Sequence, residues 1–311
     1  DVGKNKIVNH RGLKVIKRER DVLIELENEL GEVIPSVSSI DWETFGFIVR
    51  GGHIVGLGLY GRGLTSLPDS IGQLTSLTEL NLGYNHLTTL PDSIGLLKSI
   101  AEISLKNNHL TTLPDTFGQL ASLTNLYLFN NHLTSLPDTF GQLKSLTNLI
   151  LWNNKLTSLP ATFGQLTSLS NLNLDDNLLK TLPESIGLLK SLRDLDLNGN
   201  MLTTLPDTFG QLKSLEQLNL SDNQLTEFPE SITQLPFLKS LYLSKNQLAV
   251  IPGSIGQSQS LRVFDISGNQ LTELPGSIGQ LKSLNQLNLS NNQLTSFPEN
   301  ITQLTSLEEL I

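Results

Sequence analysis

Five aspartates in three neighbouring segments are the residues whose type and spacing best suit chemistry. They are Asp175, Asp176, Asp194, Asp196 and Asp222. On neighbouring strands Asp175 and Asp196 would lie roughly 8 Å apart, a separation that inverting glycoside hydrolases use. An open surface does not desolvate such a pair, so we expect no hydrolase activity. The remaining interpretations are a calcium site, a solvated surface, or an acidic rim that attracts a basic partner.

Large apolar residues occupy alternate positions in two segments that are 23 residues apart. The first segment holds Tyr127 and Phe129, and the second holds Ile150 and Trp152. If both segments are strands, these side chains share one face in a block of roughly 5 by 7 Å spacing, and Tyr84 extends the block. Aromatic residues commonly anchor binding hot spots, so the block is a candidate partner-binding site. The other interpretation is repeat drift, with rings that only pack on one another.

Three histidines recur at the same 23-residue interval. His86, His109 and His132 would form a ladder with a spacing of about 5 Å, which could hold a metal or sense pH because protonated imidazoles repel. The same position carries Lys155 and several glutamines in other segments, which is typical of an exposed polar position. We therefore expect no metal site and no cofactor.

One repeat of 23 residues fixes the spacing of all these candidates. Its marker is an asparagine that recurs without a slip, at Asn85, Asn108, Asn131, Asn154, Asn177, Asn200, Asn223, Asn246, Asn269 and Asn292. Arg62 stands where an eleventh asparagine would be. The full unit reads L-x-x-L-x-L-x-x-N-x-L-T-x-L-P-x-x-I-G-x-L-x-S, as in residues 77–99. A fixed period without insertions predicts one structural unit stacked on copies of itself.

Each half of the unit predicts one element. The L-x-x-L-x-L part alternates apolar and variable residues, which predicts a short strand whose variable residues face away from the core. Because every connection runs the same way, the strands must pair in parallel. The asparagine can satisfy backbone groups left unpaired where the strand ends. Proline followed by an acidic residue then begins a short helical or 3-10 turn. Strands pack more closely than turns, so the stack must curve with its sheet inside.

These motifs resemble the leucine-rich repeat family, and the L-T-x-L-P-x-x-I-G-x-L form is similar to its intracellular Ras-associated, Roco and bacterial or archaeal groups. The resemblance covers residues 54–311, as eleven full repeats and a truncated twelfth that stops mid-strand at Ile311. From that stop we expect an excised piece or further residues. The resemblance implies an α/β fold, a right-handed solenoid or horseshoe with a parallel sheet on its concave face and short helical or 3-10 turns on its convex face. It also implies a non-catalytic protein-recognition scaffold.

The first 53 residues depart from the repeat. Residues 1–20 hold seven Lys and Arg against Asp1 and Glu19, and we interpret them as a basic, solvated lead-in. Apolar residues at helical spacing predict a helix from Arg20 to Ile34. We assign 21–53, including Trp42, Phe45 and Phe47, to a helical cap that covers the first leucine layer. The segment resembles the N-terminal cap of prokaryotic and plant members, but it lacks the paired cysteines of the plant form.

Composition and charge reduce the number of possible functions. The net charge of −9, with an acidic repeat region, disfavours nucleic acid as a ligand. No apolar run is long enough to span a membrane, and the absence of cysteine favours a cytoplasmic location. Gly3-Lys4-Asn5 lacks the other residues of a phosphate-binding loop. We expect a non-enzymatic scaffold that binds a protein or peptide with apolar and basic residues on its concave face. The alternative is a structural or regulatory arm of a larger signalling protein, such as a GTPase, with an idle concave face.

Overall fold

The computed structural model describes residues 6–311, which form two compact units, one that ends at Ile150 and one that spans Leu151–Ile311. Asp1, Lys4 and the Gly3-Lys4-Asn5 segment lie outside the described residues. Each unit consists of stacked repeats in which a strand on one side alternates with a 3-10 turn on the other.

Unit 1 begins with a β-hairpin and one α-helix. Strands β1 (Ile7–His10) and β2 (Leu13–Ile16) pair antiparallel, and helix α1 spans Lys17–Leu30. The prediction of a solvated lead-in is therefore wrong over residues 7–16. Arg11 and Gly12 both have positive φ, which suits a tight hairpin turn, and the Leu13–Ile16 segment buries Val15 and Ile16. The helix predicted from Arg20 to Ile34 both begins and ends earlier in the structure. Helix α1 starts at Lys17, and Gly31 in the left-handed conformation terminates it.

The hairpin of β3 and β4 starts the main sheet of unit 1. Strands β3 (Phe45–Arg50) and β4 (His53–Leu59) pair antiparallel, and the predicted cap residue Phe47 is buried. The later strands pair in parallel, each residue with the one 23 positions later, as the repeat predicts. These strands are β5 (Glu79–Asn81), β6 (Glu102–Ser104), β7 (Asn125–Tyr127) and β8 (Asn148–Ile150). The 3-10 turns are Asp69–Gln73, Asp92–Leu96, Asp115–Gln119 and Asp138–Gln142.

Unit 2 repeats the same plan with parallel strands throughout. Its strands are β9 (Asn171–Asn173), β10 (Asp194–Asp196), β11 (Gln217–Asn219), β12 (Ser240–Tyr242), β13 (Val263–Asp265), β14 (Gln286–Asn288) and β15 (Glu309–Leu310). Its 3-10 turns are Phe163–Gln165, Glu184–Leu188, Asp207–Gln211, Glu230–Gln234, Gly253–Gln257, Gly276–Gln280 and Glu299–Gln303. The predicted repeat fold, with a parallel sheet and short 3-10 turns, is confirmed.

The recurring asparagine holds neighbouring repeats together. Asn108 is 3% exposed, and its side-chain amide donates to the carbonyls of Leu82 (2.9 Å) and Leu105 (3.0 Å). Its side-chain oxygen accepts from the backbone N–H of Leu87 at 3.0 Å. One side chain thus pairs three backbone groups that no strand ladder reaches, as the sequence predicts.

The recurring glycine of the I-G-x-L segment allows neighbouring turns to approach closely. A Cβ added to Gly187 would lie under 3.0 Å from the carbonyl oxygen of Thr208 in the next repeat, and Gly118 has the same relation to Thr139. Real Cβ atoms essentially never come so close. This position therefore sets the distance between successive turns.

Candidate functional site

An aromatic cluster lies on the strand face of unit 1, the side of the sheet that faces away from the buried leucines. The aromatic cluster consists of Trp42, Tyr60, Tyr84 and Tyr127 with the ammonium of Lys106. The rings of Trp42 and Tyr127 meet edge to face at 4.7 Å, and those of Tyr60 and Tyr84 lie 5.0 Å apart. Lys106 Nζ lies 4.3 Å from the Trp42 ring centre, 5.5 Å from that of Tyr60 and 5.7 Å from that of Tyr84.

A loop before β3 delivers Trp42 to this face. The side-chain amide of Asn81, on β5, donates to the carbonyl of Asp41 at 2.7 Å, and the N–H of Asp41 donates to Thr44 Oγ1 at 2.6 Å. These bonds hold the loop against the strand face instead of over the first leucine layer, where the sequence analysis placed Trp42. Tyr60 and Lys106 were not predicted as site residues, although both occupy the same repeat position as Phe129 and Trp152.

Burial shapes the electrostatics of the aromatic cluster. Lys106 is only 8% exposed. Burial lowers its pKa, and the charge of Glu43 opposes that shift. Burial also raises the pKa of Tyr127, with a further contribution from the charge of Glu102. A desolvated ammonium among aromatic faces is stabilised by cation–π attraction. Lys106 thus already holds the cation position among these rings, and their remaining exposed faces offer apolar contact area.

The structure brings the predicted unit 1 residues together only in part. Tyr127 and Ile150 are register partners on β7 and β8. Tyr127, Phe129 and Ile150 are half-buried and do not project fully into solvent as expected, and Trp42 covers part of Tyr127. Tyr84 is 51% exposed, and it follows β5 in the left-handed conformation with φ 58°.

The predicted residues of unit 2 form a polar strand face. Trp152 is half-buried. Asp194 and Asp196 lie on β10 beside a depression of about 310 Å³, which Asn173, Asn219 and Tyr242 also line. The side-chain amide of Asn198 donates to Asp175 at 2.6 Å, and the N–H of Asn198 donates to Asp196 at 3.0 Å.

Burial raises the pKa of Asp196, and the negative charges of Asp175 and Asp176 add to the rise. The hydrogen bonds that Asp196 accepts from Asn198 and Asn219 oppose it. Burial likewise raises the pKa of Asp194, with a contribution from Glu216. The carboxylates of this face are therefore held in partly desolvated and mutually repulsive positions, which an incoming cation would relieve.

The backbone conformation explains why aspartate occupies positions 176 and 222. Both directly precede a recurring asparagine and adopt positive φ, 51° and 52°. Asparagine, aspartate and glycine fill this position in most repeats because they tolerate the left-handed conformation. Burial also raises the pKa of Asp176, and the charges of Asp175 and Asp222 add to the rise. These two aspartates are thus weaker evidence for binding than Asp194 and Asp196 on their strand.

The histidine ladder forms, but it gathers no metal site. The rings of His86, His109 and His132 stack at 5.5 and 5.6 Å and are exposed. Within residues 6–311, no group of three His, Asp or Glu side chains is arranged to hold a metal ion. Over the same residues, no helix has the length and apolar character needed to cross a membrane.

The chain is similar to several solved repeat proteins. One is a leucine-rich repeat protein of Leptospira interrogans, with 37% identity over 83% of this chain and 79% of that one, and a TM-score of 0.57. A second is the ectodomain of the Arabidopsis thaliana receptor kinase GASSHO1/SCHENGEN3, solved in complex with Casparian strip integrity factor 2 (26% identity, 99% of this chain and 43% of that one, TM-score 0.68). A third is a chain of the Drosophila Toll–Spatzle complex (27% identity, 81% and 37%, TM-score 0.75).

The chain thus spans less than half of the plant and Drosophila chains. A comparison with curated proteins gives no match. The family model described as leucine-rich repeat region matches residues 230–311. The model described as leucine rich repeat matches overlapping segments, 57–110, 75–133, 98–156, 121–179, 144–202, 169–225 and 202–248. These matches cover most of the chain and coincide with its stacked strands and turns, so this protein belongs to the leucine-rich repeat family.

Proposed function

We propose that this protein is a non-catalytic recognition scaffold that binds a protein or peptide on its strand face. The observation that carries the proposal is the aromatic cluster, where Trp42, Tyr84 and Tyr127 lie on a face whose other side chains are mostly small and polar. Amphipathic rings of this kind contribute much of the binding energy at protein interfaces. Two of the similar structures were solved as complexes with protein or peptide partners, which supports the same kind of role.

Each unit would contribute its own contacts. Unit 1 would offer Tyr84, Tyr127, Phe129 and Ile150, together with Trp42. Unit 2 would offer Trp152 and the aspartates at 175, 176, 194, 196 and 222. An apolar surface in one unit and a carboxylate surface in the other suit a partner that carries both apolar and basic residues.

The compartment and the subgroup are part of the same proposal. The chain has no cysteine, which suits a reducing cytoplasm. Its L-T-x-L-P-x-x-I-G-x-L repeats are similar to those of the intracellular Ras-associated, Roco and prokaryotic groups. With an acidic chain of net charge −9, we propose that the partner is neither nucleic acid nor membrane.

The alternative is a structural or regulatory arm of a larger signalling protein. The observation that favours it is the loop that carries Trp42, because this loop and Lys106 already fill part of the strand face of unit 1. In that case the aromatic cluster would only stabilise the cap, and the strand face would be idle.

Selection from a random displayed peptide library tests the two possibilities. The affinity of the selected peptides would be measured for the parent protein and for Tyr127→Ala and Trp152→Ala. Leu96→Ala and Leu188→Ala are matched controls, because both leucines are about half exposed at the same repeat position on the turn side (52% and 51%). We expect a loss of at least about tenfold for the strand-face variants and no change for the controls. Equal affinities for all variants would refute strand-face recognition.

A further inference from the structure

Two turns of unit 2 carry threonine at the glycine position that spaces the turns, Thr233 and Thr302, and of these Thr233 is the one that another described turn follows. Thr233 stands where Gly187, Gly210, Gly256 and other repeats carry glycine. At Gly187 an added Cβ would lie under 3.0 Å from the next repeat's backbone. Thr233 does carry a Cβ, it is buried, and its hydroxyl donates to the carbonyl of Glu230 at 2.8 Å. The turn that follows Glu230–Gln234 therefore cannot pack as closely as its counterparts.

The backbone departs from the regular repeat at both ends of the Thr233 turn. Pro229 has ψ 102°, whereas the prolines before the other five-residue turns of unit 2 have ψ between 144° and 153°. Leu235, at the other end of the turn, has ψ 107°, whereas its counterparts in unit 2 lie between 60° and 76°. Pro236 follows Leu235 directly and moves it toward the extended region. The whole turn is thus displaced from the regular repeat.

A groove of about 780 Å³ lies beside this displaced turn. It is on the flank of unit 2, where three successive repeats pass from the strand to the turn. Pro229 and Pro252 contribute apolar walls, and Val250 stands 62% exposed where most repeats carry serine or threonine. The sequence signal was the change from Ser or Thr to Glu227 and then Val250 at this position.

The charge of the groove is wholly negative. Asp207, Glu227 and Glu230 line it, and no Lys or Arg does. Among the ion pairs found within residues 6–311, none involves these three carboxylates. Residues 151–311 hold fifteen Asp and Glu against nine Lys and Arg, so the field of the unit also favours a cation.

We propose that this groove binds an extended peptide segment of a partner protein, in which one apolar side chain lies beside Lys or Arg. The apolar side chain packs on Val250 and the two prolines, and the basic groups pair with Glu227, Glu230 and Asp207. Charge-assisted bonds to several carboxylates at once hold a basic peptide better than a single exposed pair would. This surface is separate from the strand face, so the inference stands independently of the recognition role proposed above.

A library of hexapeptides with Arg or Lys at two positions and one aliphatic or aromatic residue is the probe. Fluorescence anisotropy would measure binding to the full chain, with an otherwise identical library that carries Glu in place of the basic residues as the control ligand. The test variants are Glu227→Gln with Glu230→Gln, Val250→Ser, and Thr233→Gly, which removes the Cβ that keeps the following turn at a distance. Glu273→Gln is the matched control, since Glu273 is exposed at the same repeat position but outside the groove.

We expect basic peptides to bind the parent and the Glu273→Gln variant equally. The double carboxylate variant should bind at least about tenfold more weakly, and Thr233→Gly and Val250→Ser should each weaken binding. Failure of every basic peptide to bind would overturn the proposal. So would binding that survives the groove variants, because the peptide would then occupy another surface.

Discussion

At the scale of residues, Asp196 carries a charge where its neighbours in the stack carry none. Asn173 and Asn219 hold the same position in adjacent repeats and accept the same backbone hydrogen bond, at 2.9 and 3.1 Å. Asp196 accepts it at 3.0 Å. An asparagine would therefore satisfy this backbone group as well, and the charge of Asp196 needs another reason. Attraction of a basic partner to the strand face is the reason that we propose.

Asp196→Asn should stabilise the protein at neutral pH. The raised pKa of Asp196 means that the folded state disfavours its charged form. The penalty is absent below the ordinary pKa of an aspartate, grows as pH rises through the raised pKa, and is fully present above it. Urea unfolding at a series of pH values should show a gain for Asp196→Asn near pH 7 that disappears in acid. A variant that is less stable than the parent at pH 7 would contradict the assignment.

Asn108→Ala should destabilise the stack strongly. The substitution leaves the carbonyls of Leu82 and Leu105 and the N–H of Leu87 without their partner in a buried place. We expect a loss of about 3 kcal/mol in the free energy of unfolding, measured by urea denaturation. The exposed Gln73→Ala serves as the control. A loss no larger than that of the control would mean that the asparagine ladder does not hold the repeats together.

At the scale of elements, the sequence predicted the strands and turns that recur in every repeat. The 23-residue register of β5 to β8 follows because each residue meets its own counterpart in the next repeat. The 3-10 turns follow from proline and the acidic residue after it. The strand face around Trp42 could not be predicted in this way, because contacts with residues far away in sequence, among them the hydrogen bond from Asn81 to the Asp41 carbonyl, hold the loop there. The same holds for the Thr233 turn, whose spacing depends on a contact in the next repeat.

Glu19 is the residue that joins helix α1 to the sheet of unit 1. Its carboxylate is fully buried, accepts the N–H of Ile54 at 2.7 Å and contacts His53 Nδ1 at 2.9 Å. Glu19→Ala leaves a backbone donor of β4 unpaired, so we expect a loss of about 2 kcal/mol and faster hydrogen exchange at Ile54. Asn28→Ala, at an exposed position of the same helix, should change neither. Unchanged exchange at Ile54 in Glu19→Ala would refute this role.

At the scale of the whole molecule, the net charge of −9 should affect how a partner arrives. Screening shortens the reach of charges from about 10 Å at 0.1 M salt to about 3 Å at 1 M. The association rate of a basic peptide, measured by stopped-flow fluorescence, should therefore fall by about tenfold or more over this range. Its dissociation rate should change less, because buried apolar contacts are not screened. An association rate that is independent of salt would contradict an acidic recognition surface.

The central claim, that a partner docks on the strand face, is tested most directly by photo-crosslinking. A benzoylphenylalanine would replace Tyr127 in one sample and Leu96, on the turn side, in another. With a selected partner peptide present, we predict a crosslink from position 127 and none from position 96. Crosslinks from position 96 alone, with a peptide that binds both samples equally well, would show that the partner lies on another face and would contradict the account.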